Sequence, residues 1–205
     1  MTQSMLVLGG TGFISRVFCE RVLSRSHLQL TLLNRGLSSP QLFEGVAKLT
    51  CDRNDADACA ATLEHKRWDY IVDFSGYSHA HVENVVANCR FKHYTYLSTS
   101  AVELSWPEDE LFTMARDKLW CEHLLAGASP QLLVIRPGFV VGPNDKLQRF
   151  EQHDGTWVWR GTNDPVQPVV HVEILTSLML ELVARQHTGI VRAGYSKPRV
   201  LQADI

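Results

Sequence analysis

The stretch SMLVLGGTGFIS, residues 4–15, decides how the chain folds. Its first half is a short apolar run stopped by glycines, the pattern of a buried strand. Directly after it, Ile14, Val17, Phe18 and Val22 recur at helical spacing, with arginines on the opposite side. Strand, glycine turn and helix start in that order make a phosphate site. The turn lets backbone approach a pyrophosphate closely, and the helix start offers free N–H groups and partial positive charge. Gly9, Thr11, Gly12, Phe13 and Ile14 are therefore candidate cofactor-binding residues. The usual spacing is Gly-x-x-Gly-x-x-Gly, and Ser15 stands where the third glycine allows close helix–strand packing.

Outward from this unit the pattern repeats. Strands are predicted over 28–34, 46–52, 69–76, 93–99 and 131–137, with helices over 55–65, 79–90 and 110–125 between the later ones. Asn54 or Asp55 is positioned to cap the helix at 55–65. A last helix over 171–184 and a strand over 189–195 follow. Alternation of this kind predicts an α/β fold, a doubly wound parallel sheet of Rossmann type with helices on both faces. The division expected is a dinucleotide-binding core over 1–137 and a small, shortened substrate lobe over 138–205, the latter also returning the last helix and strand to the core. Residues 138–168 are rich in Gly, Pro and Asp and read as irregular. Trp157 and Trp159 are two apart in a predicted strand and point the same way, toward packing or toward stacking on a base.

Composition narrows the function classes. The chain has 205 residues, 45% apolar and 20% charged, with a net charge of −2. That balance exerts no broad pull on nucleic acid or anionic membrane. No apolar run reaches membrane-spanning length and no leader pattern opens the chain, so a cytoplasmic protein is expected. The five cysteines are scattered without a CxxC pair, as in a reduced core. Nine histidines include only one close pair, His79 and His81, whose spacing on a helix points them apart; no metal site is expected.

The strand ends carry the nucleotide chemistry. A carboxylate at the end of the second strand would hold the adenosine ribose and select NAD. Here Asn34 and Arg35 stand instead; an amide still bonds ribose oxygen, and a guanidinium suits a 2′-phosphate. NADP is thus favoured, with NAD the alternative. Asp52 and Arg53 close the third strand as an edge for adenine contacts. Phe74, Ser75 and Gly76 end the fourth, where small residues let a cofactor lie across the sheet, and Tyr77 follows toward a substrate.

Taken in order, LVLGGTGFIS, TLLNRG, CDRND, WDYIVDFSGY, YTYLSTSAV, a lysine-bearing helix, VIRPGFVVGPND and PVQPVVHV resemble the extended short-chain dehydrogenase/reductase family. Within it they are similar to the NAD-dependent epimerase/dehydratase branch acting on nucleotide sugars, and TLLNRG with the FSGY stretch looks like an atypical subgroup that includes a chloroplast RNA-associated protein. The resemblance implies that Thr99 bonds the reacting oxygen, that Lys118 holds the nicotinamide ribose, and that Pro137 lies beside the nicotinamide. It places Gln167 against the substrate. It also implies a homodimer packed through the helices at 79–90 and 110–125.

One position departs from the pattern. The family's catalytic tyrosine stands four residues before the lysine, and here that residue is Met114. No Tyr-x-x-x-Lys occurs anywhere in the chain. A thioether neither gives nor takes a proton near neutral pH, and the acid it replaces is commonly worth ~10²–10⁴-fold. Glu103, another carboxylate of 103–110, Tyr77 or Tyr96 are the substitutes available, or Met114 is a packed core residue of a retired site. Three functions follow: a hydride-transfer enzyme on a nucleotide sugar or similar small substrate, a dinucleotide-binding sensor without turnover, and an RNA-binding relative, which the charge disfavours.

Overall fold

A computed structural model describes residues 2–37, 41–104, 110–145, 148, 150–153, 156–160, 168–194 and 200–202, with backbone alone at 110–112, 153, 156–159 and 200–202. The main chain runs β1 (Gln3–Leu8), α1 (Phe13–Leu23), β2 (Leu28–Asn34), β3 (Ala47–Thr50), α2 (Ala56–Leu63), β4 (Arg67–Asp73), α3 (His79–Asn88), β5 (Arg90–Leu97), a 3₁₀ turn (Ser100–Glu103), α4 (Glu110–Ala128) and β6 (Leu132–Pro137). It continues through β7 (Phe139–Val141), β8 (Phe150–His153), β9 (Thr156–Trp159), β10 (Val169–His171), α5 (Val172–Ala184), β11 (Gly189–Ala193) and β12 (Val200–Gln202).

Seven strands form one sheet in the order β11-β6-β5-β4-β1-β2-β3, and every pairing in it is parallel. Successive residues of β1 serve opposite faces, as a strand's period of two requires. Met5 and Val7 pack with Phe18, Cys19 and Val22 of α1 and Leu175 and Met179 of α5. Leu6 and Leu8 pack on the other side with Cys59 and Leu63 of α2, Val82 and Val85 of α3 and Cys121 and Leu125 of α4. The sheet is therefore buried on both faces, which is why its central strands read as near-continuous apolar runs.

Chain order reverses between β1 and β4, so the ends of these two neighbours open a crevice at the carboxyl edge of the sheet. The predicted elements are all present, with ends shifted by up to three residues. Strand β4 starts and stops earlier than its apolar run, because Arg67 and Trp68 pair with Arg90 and Phe91 while Phe74 to Gly76 leave the ladder. Asp55 is the cap of α2, its side chain accepting from the Ala58 N–H.

The described residues of the region read as irregular include strands, which enter two small sheets. β7 pairs with β10, and β9 pairs antiparallel with β8 and β12. Val141, Phe150 and Val169 close a small core of their own with Phe139 at its edge. Short strands with few local repeats leave little periodicity to read, and the pairing partners lie far apart in sequence. Trp157 and Trp159 do lie in a strand, β9; their side chains fall outside the description.

Candidate functional site

The glycine turn owes its shape to two contacts. Gly9 adopts φ +82, and a Cβ there would stand 2.5 Å from Ser75 Oγ, so only glycine lets β1 and the end of β4 approach this closely. Ser15, in the third-glycine position, is buried on α1. Its hydroxyl donates to the Gly9 carbonyl at 2.6 Å and accepts from the Gly12 N–H at 2.9 Å. The serine thus ties the turn to the first turn of the helix, a role a glycine could not fill.

A cavity of about 210 Å³ opens over this turn. Gly9 and Thr11 line it from the turn, Asn34 to Leu37 from the end of β2, Cys51 to Asn54 from the end of β3, and Ser75, Tyr77 and His81 from the β4–α3 connection. Eight residues singled out from the sequence meet here: Gly9, Thr11, Asn34, Arg35, Asp52, Arg53, Ser75 and Tyr77. Asn34 Oδ1 accepts from the Gly36 N–H at 2.8 Å and holds its own turn. Asp52 Oδ1 accepts from Asn54 N and Nδ2, each at 3.0 Å, and the Asn54 N–H holds its carboxyl below the usual range, with Arg35 adding to the effect.

Beneath the cavity lies a buried ion pair. Arg53 Nη1 and Nη2 meet Asp73 Oδ2 and Oδ1 at 2.8 and 3.2 Å, and Nη2 also donates to Ser75 Oγ at 2.8 Å. Tyr94 Oη and the Ser75 N–H donate to the same carboxylate, each at 2.9 Å. Burial works against the Asp73 charge, yet Arg53, with the Ser75 N–H and Lys118 beside it, holds the carboxyl below its usual range. Arg53 is thus a structural cation as well as a cavity residue. The signal that could have found its partner was an aspartate closing the apolar run YIVD. His81 was also missed as a site residue. Its Nδ1 accepts from the Tyr77 N–H at 3.4 Å, which leaves Nε2–H to donate to Asn54 Oδ1 at 3.0 Å.

The other predicted residues stand apart from the cavity lining. Gly12 caps α1, and Phe13 and Ile14 pack on the core at its start. Phe74 is buried with its ring 5.3 Å from that of Phe18. Gly76 offers its carbonyl to Tyr96 Oη at 2.6 Å. Lys118 is 5% exposed. Its ammonium donates to the Leu97 carbonyl at 2.8 Å and lies 4.9 and 4.8 Å from the ring centres of Tyr77 and Tyr96. Burial pushes its pKa down to about 8, against the pull of Asp73. Tyr77, at once lining the cavity and covering this ammonium, joins the two parts of the site.

Thr99 Oγ1 accepts from the Ala101 N–H at 3.2 Å and caps the 3₁₀ turn. Pro137 is a buried end of β6. Gln167 lies outside the described residues. Met114 is 37% exposed, which overturns the alternative of a packed core residue. Of its substitutes, Glu103 accepts from Arg136 Nη1 at 2.6 Å and Arg192 Nε at 2.8 Å, and these arginines, Arg192 foremost, hold it as a carboxylate. Tyr96 is fully buried, bonded to Gly76 O, and burial drives its pKa far up. Glu108, Asp109 and the Glu110 side chain lie outside the described residues; of the substitutes described, Tyr77, 58% exposed, lines the cavity. Among the described residues, no three His, Cys, Asp or Glu side chains gather as metal ligands, and no helix is long and apolar enough to cross a membrane.

A parallel sheet with a glycine turn at its switch point and helices on both faces defines a Rossmann-type fold. The comparisons agree. Residues 5–103, just under half of the chain, match the NAD dependent epimerase/dehydratase family. No curated protein sequence matches it. The fold extends the likeness across the rest. A short-chain dehydrogenase/reductase (wide type) from Veillonella parvula, in complex with NADP, superposes with a TM-score of 0.69 at 13% identity, covering 96% of each chain. A UDP-glucose 4-epimerase from Thermus thermophilus, in complex with NAD, gives 0.73 at 16% identity, covering 96% of this chain and 79% of the epimerase.

Proposed function

We propose that this protein binds a nicotinamide dinucleotide in the cavity at the sheet's switch point, and that it prefers NADP. The observation that carries the reading is the cavity itself, floored by the Gly9 turn and rimmed at β2 by Asn34 and Arg35, with no carboxylate on that strand end. The cradle that a Cβ at Gly9 would fill fits the close approach of a pyrophosphate. Gly9 and Thr11 would hold the phosphates, Asn34 the ribose, Arg35 a 2′-phosphate, Asp52 the adenine, and Lys118 the nicotinamide ribose. Bound there, the cofactor supplies or accepts hydride. Fluorescence titration tests this: NADPH binding tighter than NADH supports it, Arg35→Ala should erase the preference, and failure to bind either overturns it.

The second reading is hydride transfer to or from a small substrate of the nucleotide-sugar kind, whose oxygen Thr99 would hold. Its specific support is Tyr77, exposed at the cavity with the Lys118 ammonium 4.9 Å from its ring centre. Burial, and then Asp73, raise the Tyr77 pKa above its ordinary value, so the phenol is kept protonated and would act as a proton donor. Turnover across a nucleotide-sugar panel that Tyr77→Phe lowers and Met114→Tyr raises is the outcome expected of an enzyme. Tight binding with no turnover in any of the three forms leaves a sensor. The same family reading carries a homodimer through α3 and α4, where Trp120 is 60% exposed.

A further inference from the structure

Two thiols meet behind the rim of the cavity. Cys51 follows β3 and lines the cavity, while Cys59, in α2, is fully buried behind it. Their sulfurs are 3.1 Å apart, about 1 Å beyond the ~2.05 Å of a disulfide bond. Both aim at one acceptor, the Asp52 carbonyl, at 3.4 Å from Cys51 and 3.7 Å from Cys59. We propose that Cys51 and Cys59 form a redox modification site, oxidised to a disulfide by a peroxide that enters the cavity, and that the cross-link weakens dinucleotide binding. The second clause rests on the binding reading above; the first does not.

Access and position assign the roles. Burial and the Cys51 contact push the Cys59 thiol up to about 12, so attack begins at Cys51, the one of the two cysteines that lines the cavity. Cys51 sulfur, having given up its proton, attacks one peroxide oxygen. The O–O bond breaks, leaving a sulfenic acid and one water. Cys59 sulfur then attacks the sulfenic sulfur, and its proton leaves with the displaced hydroxyl as a second water. Two thiols thus lose two electrons and two protons, and one hydrogen peroxide becomes two waters.

The consequence for binding follows from what lies between the two cysteines. Disulfide formation strips both S–H donors from the Asp52 carbonyl and draws α2 toward the end of β3. The linking segment carries Asp52 and also Arg53, whose guanidinium holds Asp73 and Ser75 beneath the glycine turn. A shift there moves the rim and the floor of the cavity together.

The test uses the full chain, reduced and then treated with hydrogen peroxide, with free thiols blocked before analysis. Peptide mass mapping should find Cys51 joined to Cys59, saturating NADPH should slow the cross-link, and the NADPH dissociation constant should rise roughly tenfold and recover with dithiothreitol. Cys59→Ala should bind NADPH as the parent does and keep its affinity through peroxide. Absence of the Cys51–Cys59 peptide, or a cross-link to another cysteine, overturns the site. A cross-link that leaves affinity unchanged overturns the coupling. Should the reduced protein bind no dinucleotide, the functional reading fails while the mass map still decides the redox site.

Discussion

Lys118 carries a charge where the surrounding fold disfavours one. With its pKa pushed down from 10.5 to about 8, the ammonium is worse off than in water, although it still donates to Leu97 O and faces two aromatic rings. A group so placed is kept for something other than stability. Lys118→Met should therefore keep or raise the melting temperature. Dinucleotide binding should weaken roughly ten- to hundredfold, the worth of one or two charge-assisted hydrogen bonds. Thermal melts beside a fluorescence titration check both halves, and a clear drop in melting temperature would mark the lysine as structural. Gly9 argues in the opposite sense. Gly9→Ala forces a methyl into Ser75 and strains a φ of +82, so it should cost about 1 kcal/mol or more and block the cavity floor. Denaturation and binding measured on one sample separate the two effects.

Elements meet at this site through charges as well as apolar contacts. Arg53 leaves the end of β3 and anchors on Asp73 at the end of β4, while α3 adds Asn84 Nδ2 to the Arg53 carbonyl at 2.9 Å. Arg53→Met leaves a fully buried carboxylate without its cation, and losses of this kind run to about 3–5 kcal/mol. Urea denaturation of the variant should show that loss near neutral pH and show it shrinking in acid, as Asp73 takes up a proton. A midpoint unchanged from the parent would remove the ion pair from the account. A second cluster fastens the loop of Thr99: Ser98 bonds Glu122 of α4, Arg136 of β6 reaches Glu122 and Glu103, and Arg192 of β11 reaches Glu103. These charges sit on four elements far apart in sequence, so neither cluster has a spacing to read.

Across the whole molecule, pH acts on stability through buried histidines. Burial lowers His81, His93 and His171 from the ordinary 6.5, and Arg53 lowers His81 further. Folded values below the unfolded one mean that the fold favours the neutral rings. Their contribution is fully present above pH 6.5 and is lost as pH falls through the folded values. Asp73 and Glu103 are also lowered, so a second loss follows in the carboxylate range below about pH 4. Melting temperatures should be flat near neutrality and fall in two stages on acidification. His93→Gln keeps a donor toward His187 O, bonded at 2.8 Å, and should flatten the first stage. At the scale of assembly, light scattering should report a dimer, and Trp120→Glu on α4 a monomer.

The sequence by itself determined the architecture: alternating apolar runs and helical stripes, a glycine turn after the first strand, and an ordered set of motifs from residue 4 onward. These are local signals, set by the period of a strand or helix and by backbone geometry at a few glycines. Only tertiary structure decided what occupies the site. It set Met114 at the surface and Glu103 between two arginines, and it left Tyr77 at the cavity. It joined Arg53 to Asp73 across 20 residues and Cys51 to Cys59 across eight. The physical reason is common to all of them. A charge or a thiol takes its character from whatever the sheet brings beside it, and that neighbour carries no mark in the chain until the strands have found their order.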